Sequence, residues 1–335
     1  MFQRKKLFLV SVGLTVGAMF LWLALRNVDF SQISSHLSKA NYWYAIPFCL
    51  LFISFYWLKA IRWSLLLSPI GKMSYRSLFP VMMVGFGANN LLPAHLGEFI
   101  RMYLLSRQTS TSNSAVLASI VLERIFDLLA VAMLCAIALS VTSGSGVAQY
   151  LGYSLFLIAG LGLFVFLLFV TYTDLVLDLT AKFLSPLPGS ISSFVIRNLR
   201  NASRGLQTLR NPKMIVIVFA NSLIQWTLLA VCIYLAVAAV GITTTWNAYV
   251  IVLGLVVFGL SLPTAPAYLG TIQLAFVIGL GLANISDEFA IASSVFYHAL
   301  TFSTTSVLGL YGLHRAGTSY GTLQQAAQQS NLPNT

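Results

Sequence analysis

Apolar residues fill most of this chain in long runs, and the polar positions either separate one run from the next or break a run near its middle. Six unbroken runs, roughly 7–25, 42–67, 115–140, 151–172, 214–239 and 289–313, are long enough as helices to cross a membrane. Two further apolar regions, roughly 77–105 and 248–283, are interrupted by Pro and Gly. Each of their legs is only about 10–15 residues, which at about 1.5 Å per residue falls short of a hydrocarbon core of about 30 Å. The pattern therefore predicts six full transmembrane helices plus two re-entrant helical hairpins. Each hairpin is expected to enter and leave on one face.

Composition strengthens that picture. Of 335 residues 58% are hydrophobic and only 8% charged, where a soluble chain would carry about a quarter charged. The expected fold class is an all-α polytopic membrane protein. The first run follows Arg4, Lys5 and Lys6 and ends at Arg26. It is longer than a signal-peptide core and lacks a small-residue cleavage site, so it predicts a retained helix with a cytosolic N-terminus.

The net charge of +11 matters through its placement. With both hairpins re-entrant, fifteen of the nineteen Lys and Arg residues fall on or near the cytosolic face, from Arg4 through Lys59, Arg62, Lys72, Arg76 and Arg107 to the 182–213 group and Arg315. Arg26 and Lys39 fall outside, while Arg101 and Arg124 stay within the membrane. Counting each hairpin as a crossing would carry the 182–213 cluster outside, against the positive-inside rule. Both termini are thus expected inside. Basic residues that punctuate apolar runs form no soluble patch, which argues against nucleic-acid binding.

This layout makes two halves, 1–140 and 151–315, of one membrane domain spanning 1–315. Each half reads span, span, hairpin, span, with every direction reversed in the second. The hairpins share weak text, "GFGANNLLPAHLGE" at 85–98 beside "VFGLSLPTAPAYLGT" at 257–271. An inverted-topology repeat follows as the expectation, with discontinuous helices meeting near the midplane. Within 174–213, Val195, Leu199, Ala202, Leu206 and Leu209 share one helical face and Arg197, Arg200 and Arg204 the other, predicting an amphipathic helix on the cytosolic leaflet. The tail 316–335 has no apolar face and is expected to be disordered.

Charges inside the membrane are the candidate chemistry. Glu98 and Arg101 lie on the returning leg of the first hairpin, and Glu123, Arg124 and Asp127 on the next span. Glu123 and Asp127, four apart, face one way. Facing lipid, each charge would cost roughly 2.5–3.5 kcal/mol. They must instead face one another, a hairpin backbone or a wet cavity. Three acids against two bases leave one acid to pair with Lys59 or Arg62, or to stay protonated. Two readings remain open: an internal ion-pair network, or a polar pocket reaching mid-membrane. In the second, Arg101 and Arg124 take a phosphate, and Glu98, Glu123 or Asp127 release it or carry a coupling proton.

Pro93 and Gly97 break the first hairpin, and Asn89 and Asn90 can satisfy the freed backbone groups. Pro263, Pro266 and Gly270 open the second, where Thr264, Tyr268 and Gln273 supply neutral donors. Asn221 and Gln225 suit either the cavity or interhelical hydrogen bonds, and His298 suits an interhelical donor. Gly13 and Gly17 let a neighbour pack closely. Cys49, Cys135 and Cys232 read as core filling, and no spacing suggests a metal or any other cofactor.

"LLPAHLGEFIRMYLL" followed by "SIVLERIFDLLAV", with "LKAIRWSLLL" before and "LSLPTAPAYLGTIQ" late in the chain, resembles the flippase-like family named for the transmembrane region of lysylphosphatidylglycerol synthase. The shared signatures fall on Pro93, Gly97, Glu98 and Arg101, on Glu123, Arg124 and Asp127, and on Pro263, Pro266 and Gly270. Thr271 stands where such proteins often carry a second acid. No aminoacyl-transferase domain like that of the full synthases is read in these 335 residues, so the expected resemblance is to stand-alone members.

The resemblance implies a lipid translocase in a bacterial cytoplasmic membrane, moving a phospholipid or polyprenyl-phosphate-linked headgroup. No nucleotide-binding loop is present, so ATP is not the expected drive. An enzyme is disfavoured, since no H-E-x-x-H motif and no Ser or Cys nucleophile beside a base is visible. The alternative is an accessory subunit of a separate lipid-modifying enzyme.

Overall fold

All regular structure among the described residues is helical. The computed structural model describes residues 2–91, 96–109, 111–141, 211–261 and 265–316, with scattered positions between 150 and 182. Twelve of the 22 residues of the expected span at 151–172 are described, all helical but the last, Tyr172, while the amphipathic face at 195–209 and the tail beyond 316 lie wholly outside the described residues. Helix α1 is Phe2–Leu25, α2 Phe30–Ser38 and α3 Ala45–Leu67, the last entered through a short 3-10 turn, Tyr42–Tyr44. Then come α4, Tyr75–Leu91, α5, Leu96–Thr109, and α6, Asn113–Ser140. The second half supplies α7, Pro212–Ala239, α8, Trp246–Leu260, α9, Thr271–Gly281, and α10, Asp287–Arg315.

Local chemistry fixes the helix ends. Ser112 caps α6 by accepting from the Ala115 N–H at 3.3 Å. Asn211 caps α7 by accepting from Lys213 N–H at 3.0 Å, with Pro212 in the first turn where no amide hydrogen is needed. Helix α10 opens on Asp287 and Glu288 and closes on His314 and Arg315, charges that complement its dipole at both ends. Helix α2 is an element the hydrophobic pattern does not announce. Asp29 caps it at 2.8 Å, and its His36 ring stacks on Phe289 of α10 at 3.7 Å.

Tyr42–Leu67 and Pro212–Ala239 are both long and apolar enough to cross a membrane. Helices α6 and α10, at 28 and 29 residues, have the length but carry more polar groups. Their outer faces, like those of α1, α3 and α7, expose large apolar side chains such as Leu14, Leu50, Leu128, Val216 and Leu310. Such belts suit lipid better than water. By contrast α4, α5, α8 and α9 have 17, 14, 15 and 11 residues, most of them too short to span alone.

These short helices fold into two hairpins. Gly85 on α4 meets Gly97 on α5 so closely that a Cβ on Gly97 would collide with the Gly85 carbonyl oxygen and come within 2.6 Å of Asn89 Oδ1. In the second hairpin, Val252 on α8 faces Gly279 on α9. Between its legs the chain turns through Ala267 and Tyr268, both at positive φ, into Gly270 at φ +84°. Gly17 of α1 packs against this turn, at Ala265 and Leu269. Gly17 thus admits a close neighbour, as its spacing suggests.

The helix pairings repeat across the chain. Helix α3 packs on α7, its counterpart; α4 and α5 pair as α8 and α9 do; α6 packs on α8 as α10 packs on α4; and α6 packs on α7 as α10 packs on α3. Exchanging α3–α6 for α7–α10 reproduces the set. An aromatic core runs along α3, where Phe52 stacks on Phe55 at 5.8 Å and Phe48 meets Tyr297 of α10 edge-on at 5.7 Å.

Candidate functional site

Helices α3, α5, α6 and α7 converge on five charged side chains. Lys59 and Arg62 lie three apart on α3, and Glu123 and Asp127 four apart on α6, so each pair presents one face to the other. Lys59 Nζ lies 2.9 Å from Asp127 and 3.5 Å from Glu123, and Arg62 lies 2.7 Å and 3.5 Å from the same two. Arg101 reaches across from α5 to Glu123. No side chain in this cluster is more than 3% exposed.

The surroundings complete the cluster. Trp226 Nε1 donates to Asp127 at 2.8 Å, and Arg62 donates to Ser222 Oγ at 2.6 Å, both partners on α7. The Arg101 guanidinium stacks on Trp63 at 3.9 Å, whose indole N–H donates to Ser119 at 3.0 Å. Lys59 sits 5.2–5.8 Å from the Phe55, Trp226 and Phe86 rings. These ring faces spread the ammonium charge without water. Arg62 and Lys59, counted with the cytosolic charges in the sequence, thus lie inside the helix bundle.

A second ion pair is different in kind. Arg124, about 100° around α6 from Glu123, turns to Glu98 on α5, donating from both Nε (2.9 Å) and Nη2 to one carboxylate oxygen. The Arg124 side chain is 39% exposed and that of Glu98 23%. Both line a cavity of about 420 Å³, within the size range of small-molecule sites. Lys59, Asp127, Asn89 and Asn90 also line it from the first half, and Ser261, Tyr268, His298, Thr301 and Thr305 from the second. Charged groups thus line the cavity from the first half alone, and the second half sets neutral polar groups among mostly apolar side chains such as Leu229, Val256, Leu260 and Phe302. Glu123, Arg62 and Arg101 stand behind the charged wall rather than on it.

Residues near the hairpin ends, Asn89, Asn90, Ala267 and Tyr268, border this cavity. The chain leaves the helix after Leu91 and re-enters at Leu96, so Pro93 lies outside the described residues and Gly97 is the second residue of α5. Asn89 Oδ1 accepts from the Gly97 N–H at 2.7 Å, capping the returning leg across the break. Asn90 instead donates to α10, at Phe302 O (3.4 Å) and Ser306 Oγ (3.3 Å). In the other hairpin Pro263 and Thr264 lie outside the described residues, and Pro266 opens a single 3-10 turn.

His298 closes that turn. Its Nε2 lies 2.8 Å from the Ala267 carbonyl, and its Nδ1 lies 3.2 Å from the Gln273 amide nitrogen, while Gln273 Oε1 accepts from Gly270 N–H at 2.8 Å. A carbonyl can only accept, so Nε2 carries the hydrogen and Nδ1 accepts from Gln273. The neutral ring thereby ties α9, α10 and the turn together. His298→Ala is expected to leave two polar groups unpartnered and cost about 1–3 kcal/mol, read as a lowered melting temperature in detergent.

Asn221 and Gln225 do not reach the cavity. They bond to each other along α7, and the next face around, Ser222 and Trp226, serves the cluster instead. Cys49, Cys135 and Cys232 are scattered free thiols, and among the described residues no three His, Cys, Asp or Glu side chains gather as a metal site would need.

The family described as the lysylphosphatidylglycerol synthase transmembrane region matches residues 10–309. The chain belongs to that family. Within this transmembrane family the match covers both hairpins and every charged residue of the site. The chain is also similar to a UPF0104 membrane protein of Methanothermobacter thermautotrophicus, 23% identical over 331 residues, covering 92% of this chain and 96% of the relative. A second UPF0104 membrane protein, from Methanocaldococcus jannaschii, is 22% identical over 231 residues, covering 66% of this chain and 90% of the relative. Family and helical architecture together make it an integral membrane protein.

Proposed function

We propose that the protein is a lipid translocase that carries a phosphate-bearing headgroup through the cavity while the acyl or prenyl tails stay in the bilayer. The observation that carries this reading is the half-open Glu98–Arg124 pair on a cavity wall. Arg124 is the twelfth of 28 residues of α6, roughly 17 Å along the helix and near mid-bilayer. A guanidinium held by a single carboxylate at that depth can pass two of its N–H groups to a phosphate. With all seven site charges ionised, four cations face three carboxylates, a surplus that favours an anionic guest.

The orientation that goes with this reading puts both termini in the cytosol, with six spans and two re-entrant hairpins facing opposite leaflets. The reciprocal packing of α3–α6 and α7–α10 agrees with an inverted repeat. The buried cluster of Lys59, Arg62, Arg101, Glu123 and Asp127, of which Lys59 and Asp127 reach the cavity, then backs the wall on which Arg124 stands. The translocase needs no ATP and makes no covalent change, and a bacterial cytoplasmic membrane is its expected home.

Reconstitution tests it. In liposomes holding fluorescent phosphatidylglycerol, the wild-type protein alone is expected to expose inner-leaflet probe to an external quencher. Arg124→Gln is expected to lower that rate roughly 10- to 100-fold, the worth of a charge-assisted pair, while keeping its melting temperature. Equal rates in both would refute the reading. The sealing of the five-charge cluster favours a second reading, an accessory subunit with a structural ion network, which silence of the wild-type protein in the same assay would favour. A new covalent lipid product would point to an enzyme.

A further inference from the structure

The three carboxylates of the site are not equivalent. Asp127 is met by Lys59, Arg62 and the Trp226 N–H, and Glu123 by Arg101, Lys59 and Arg62. Each has at least two cations and 3% exposure or less. Glu98 has one cation, Arg124, and a side chain 23% exposed on the cavity. Two of the five N–H donors of Arg124, on Nε and Nη2, go to the same Glu98 oxygen. If a phosphate takes those two donors, Glu98 loses the one ion-pair partner it has among the described residues and becomes a second anion beside the first.

The other groups around Glu98 offer little relief. Tyr268 lines the same cavity from the turn between α8 and α9 and brings a phenol rather than a cation. Lys59, Asp127 and His298 share the cavity, but Lys59 is held by Asp127 at 2.9 Å and His298 is fixed as a neutral ring between Ala267 and Gln273. Arg101, on the same helix, points away to Glu123. Helix α4 lines the cavity with Phe86 and the amides Asn89 and Asn90, none of them a cation.

We infer that Glu98 is a proton carrier: a headgroup phosphate displaces it from Arg124, and Glu98 takes up one proton as the phosphate binds. The inference rests on the translocase reading and extends it to proton–lipid symport. The step balances. Arg124 passes its two hydrogen bonds from carboxylate to phosphate, and a proton from the aqueous mouth adds to Glu98, giving a neutral carboxylic acid. The cavity then carries the same net charge loaded with a phosphate monoanion as it does empty. When the phosphate leaves, Glu98 releases its proton to the side on which the headgroup departs and re-forms the pair with Arg124. A proton gradient thereby gives the direction that no nucleotide site supplies.

The sign follows from linkage. Glu98 is deprotonated when the site is empty and protonated when it is loaded, so loading binds a proton and acid favours it. The test uses the full chain in phosphatidylcholine nanodiscs, titrated with a short-chain fluorescent phosphatidylglycerol, whose phosphodiester stays anionic throughout. Affinity is measured at about pH 6 and about pH 8, and proton uptake with an indicator dye in weak buffer. The wild type is expected to bind more tightly at the lower pH, by up to about tenfold per pH unit, and to take up about one proton per lipid. Glu98→Gln, a mimic of the protonated acid, is expected to lose the pH dependence and to bind at the higher pH as the wild type binds at the lower.

Wild-type binding that requires Arg124 yet takes up no proton overturns the proton step alone and transfers compensation to Lys59. An unchanged pH dependence in Glu98→Gln also overturns it. Absence of wild-type binding at either pH, with no response to Arg124→Gln, removes the translocase reading along with it. Proton uptake is read on the unmutated protein, so the test does not depend on the variant folding.

Discussion

Asp127→Ala is expected to destabilise the protein by about 3–5 kcal/mol, the usual cost of removing one partner from a buried charge network. Three donors lose an acceptor at once: Lys59 Nζ, which keeps only Glu123 at 3.5 Å, Arg62 Nη1, which keeps only the neutral Ser222 Oγ at 2.6 Å, and the Trp226 indole N–H. None can turn to solvent, since Lys59 is 3% and Arg62 0% exposed. Arg62 already carries Nε and Nη2 without a hydrogen-bond partner, so the deletion adds to an existing deficit. Glu123 would remain as sole carboxylate for three cations. In detergent the melting temperature should fall on the order of 10 °C. Removing a cation as well should recover part of the loss, because Lys59→Met with Asp127→Leu deletes charge of both signs and fills the space with apolar volume. A single mutant that melts with the wild type would show that the cluster contributes nothing to the fold.

That cluster also marks how far the sequence could be read. The runs and breaks of hydrophobicity locate α3, α6, α7, α10 and both hairpins, because apolar length and helix-breaking residues act locally. The need for a third cation follows from counting charges, and Lys59 and Arg62 both supply it. Burial does not follow from counting. Arg101 and Arg124 look alike in sequence, each near a glutamate, yet one is sealed against Trp63 and the other opens on the cavity. The difference lies in which way α5 and α6 are rotated, a property of packing. A one-residue offset on α7 has the same origin: the pattern points to Asn221 and Gln225, while Ser222 and Trp226, about 100° further round, meet the charges. Their four-residue spacing on an apolar helix was the available signal. Helix α2 escapes because its nine residues are stabilised by an Asp29 cap and by contact with α10 rather than by a long apolar run.

Gly97→Ala should impair function far more than stability, since Gly97 has the tightest surroundings of the described glycines. The added methyl would sit against the Gly85 carbonyl oxygen and 2.6 Å from Asn89 Oδ1. Neither can step aside cheaply, since one is helix backbone and the other is the acceptor that caps α5 through the Gly97 N–H. Helices α4 and α5 must therefore part, and the capping bond across the break stretches or fails. Alanine's better helix propensity returns about 1 kcal/mol, against about 1–3 kcal/mol for overpacking and about 1 kcal/mol for the lost hydrogen bond. The net cost in stability is modest, on the order of 1–3 kcal/mol. The functional cost is expected to be larger. Glu98 is the next residue, and its carboxylate meets Arg124 only while α5 stays docked on α4. A displacement of about 1 Å at a charged site costs on the order of 100-fold in rate. Gly281→Ala provides the comparison, because a methyl there meets nothing within 4 Å. Lipid movement in liposomes should collapse in the first variant and persist in the second, whereas equal activity in both would show that the α4–α5 contact does not set the position of Glu98.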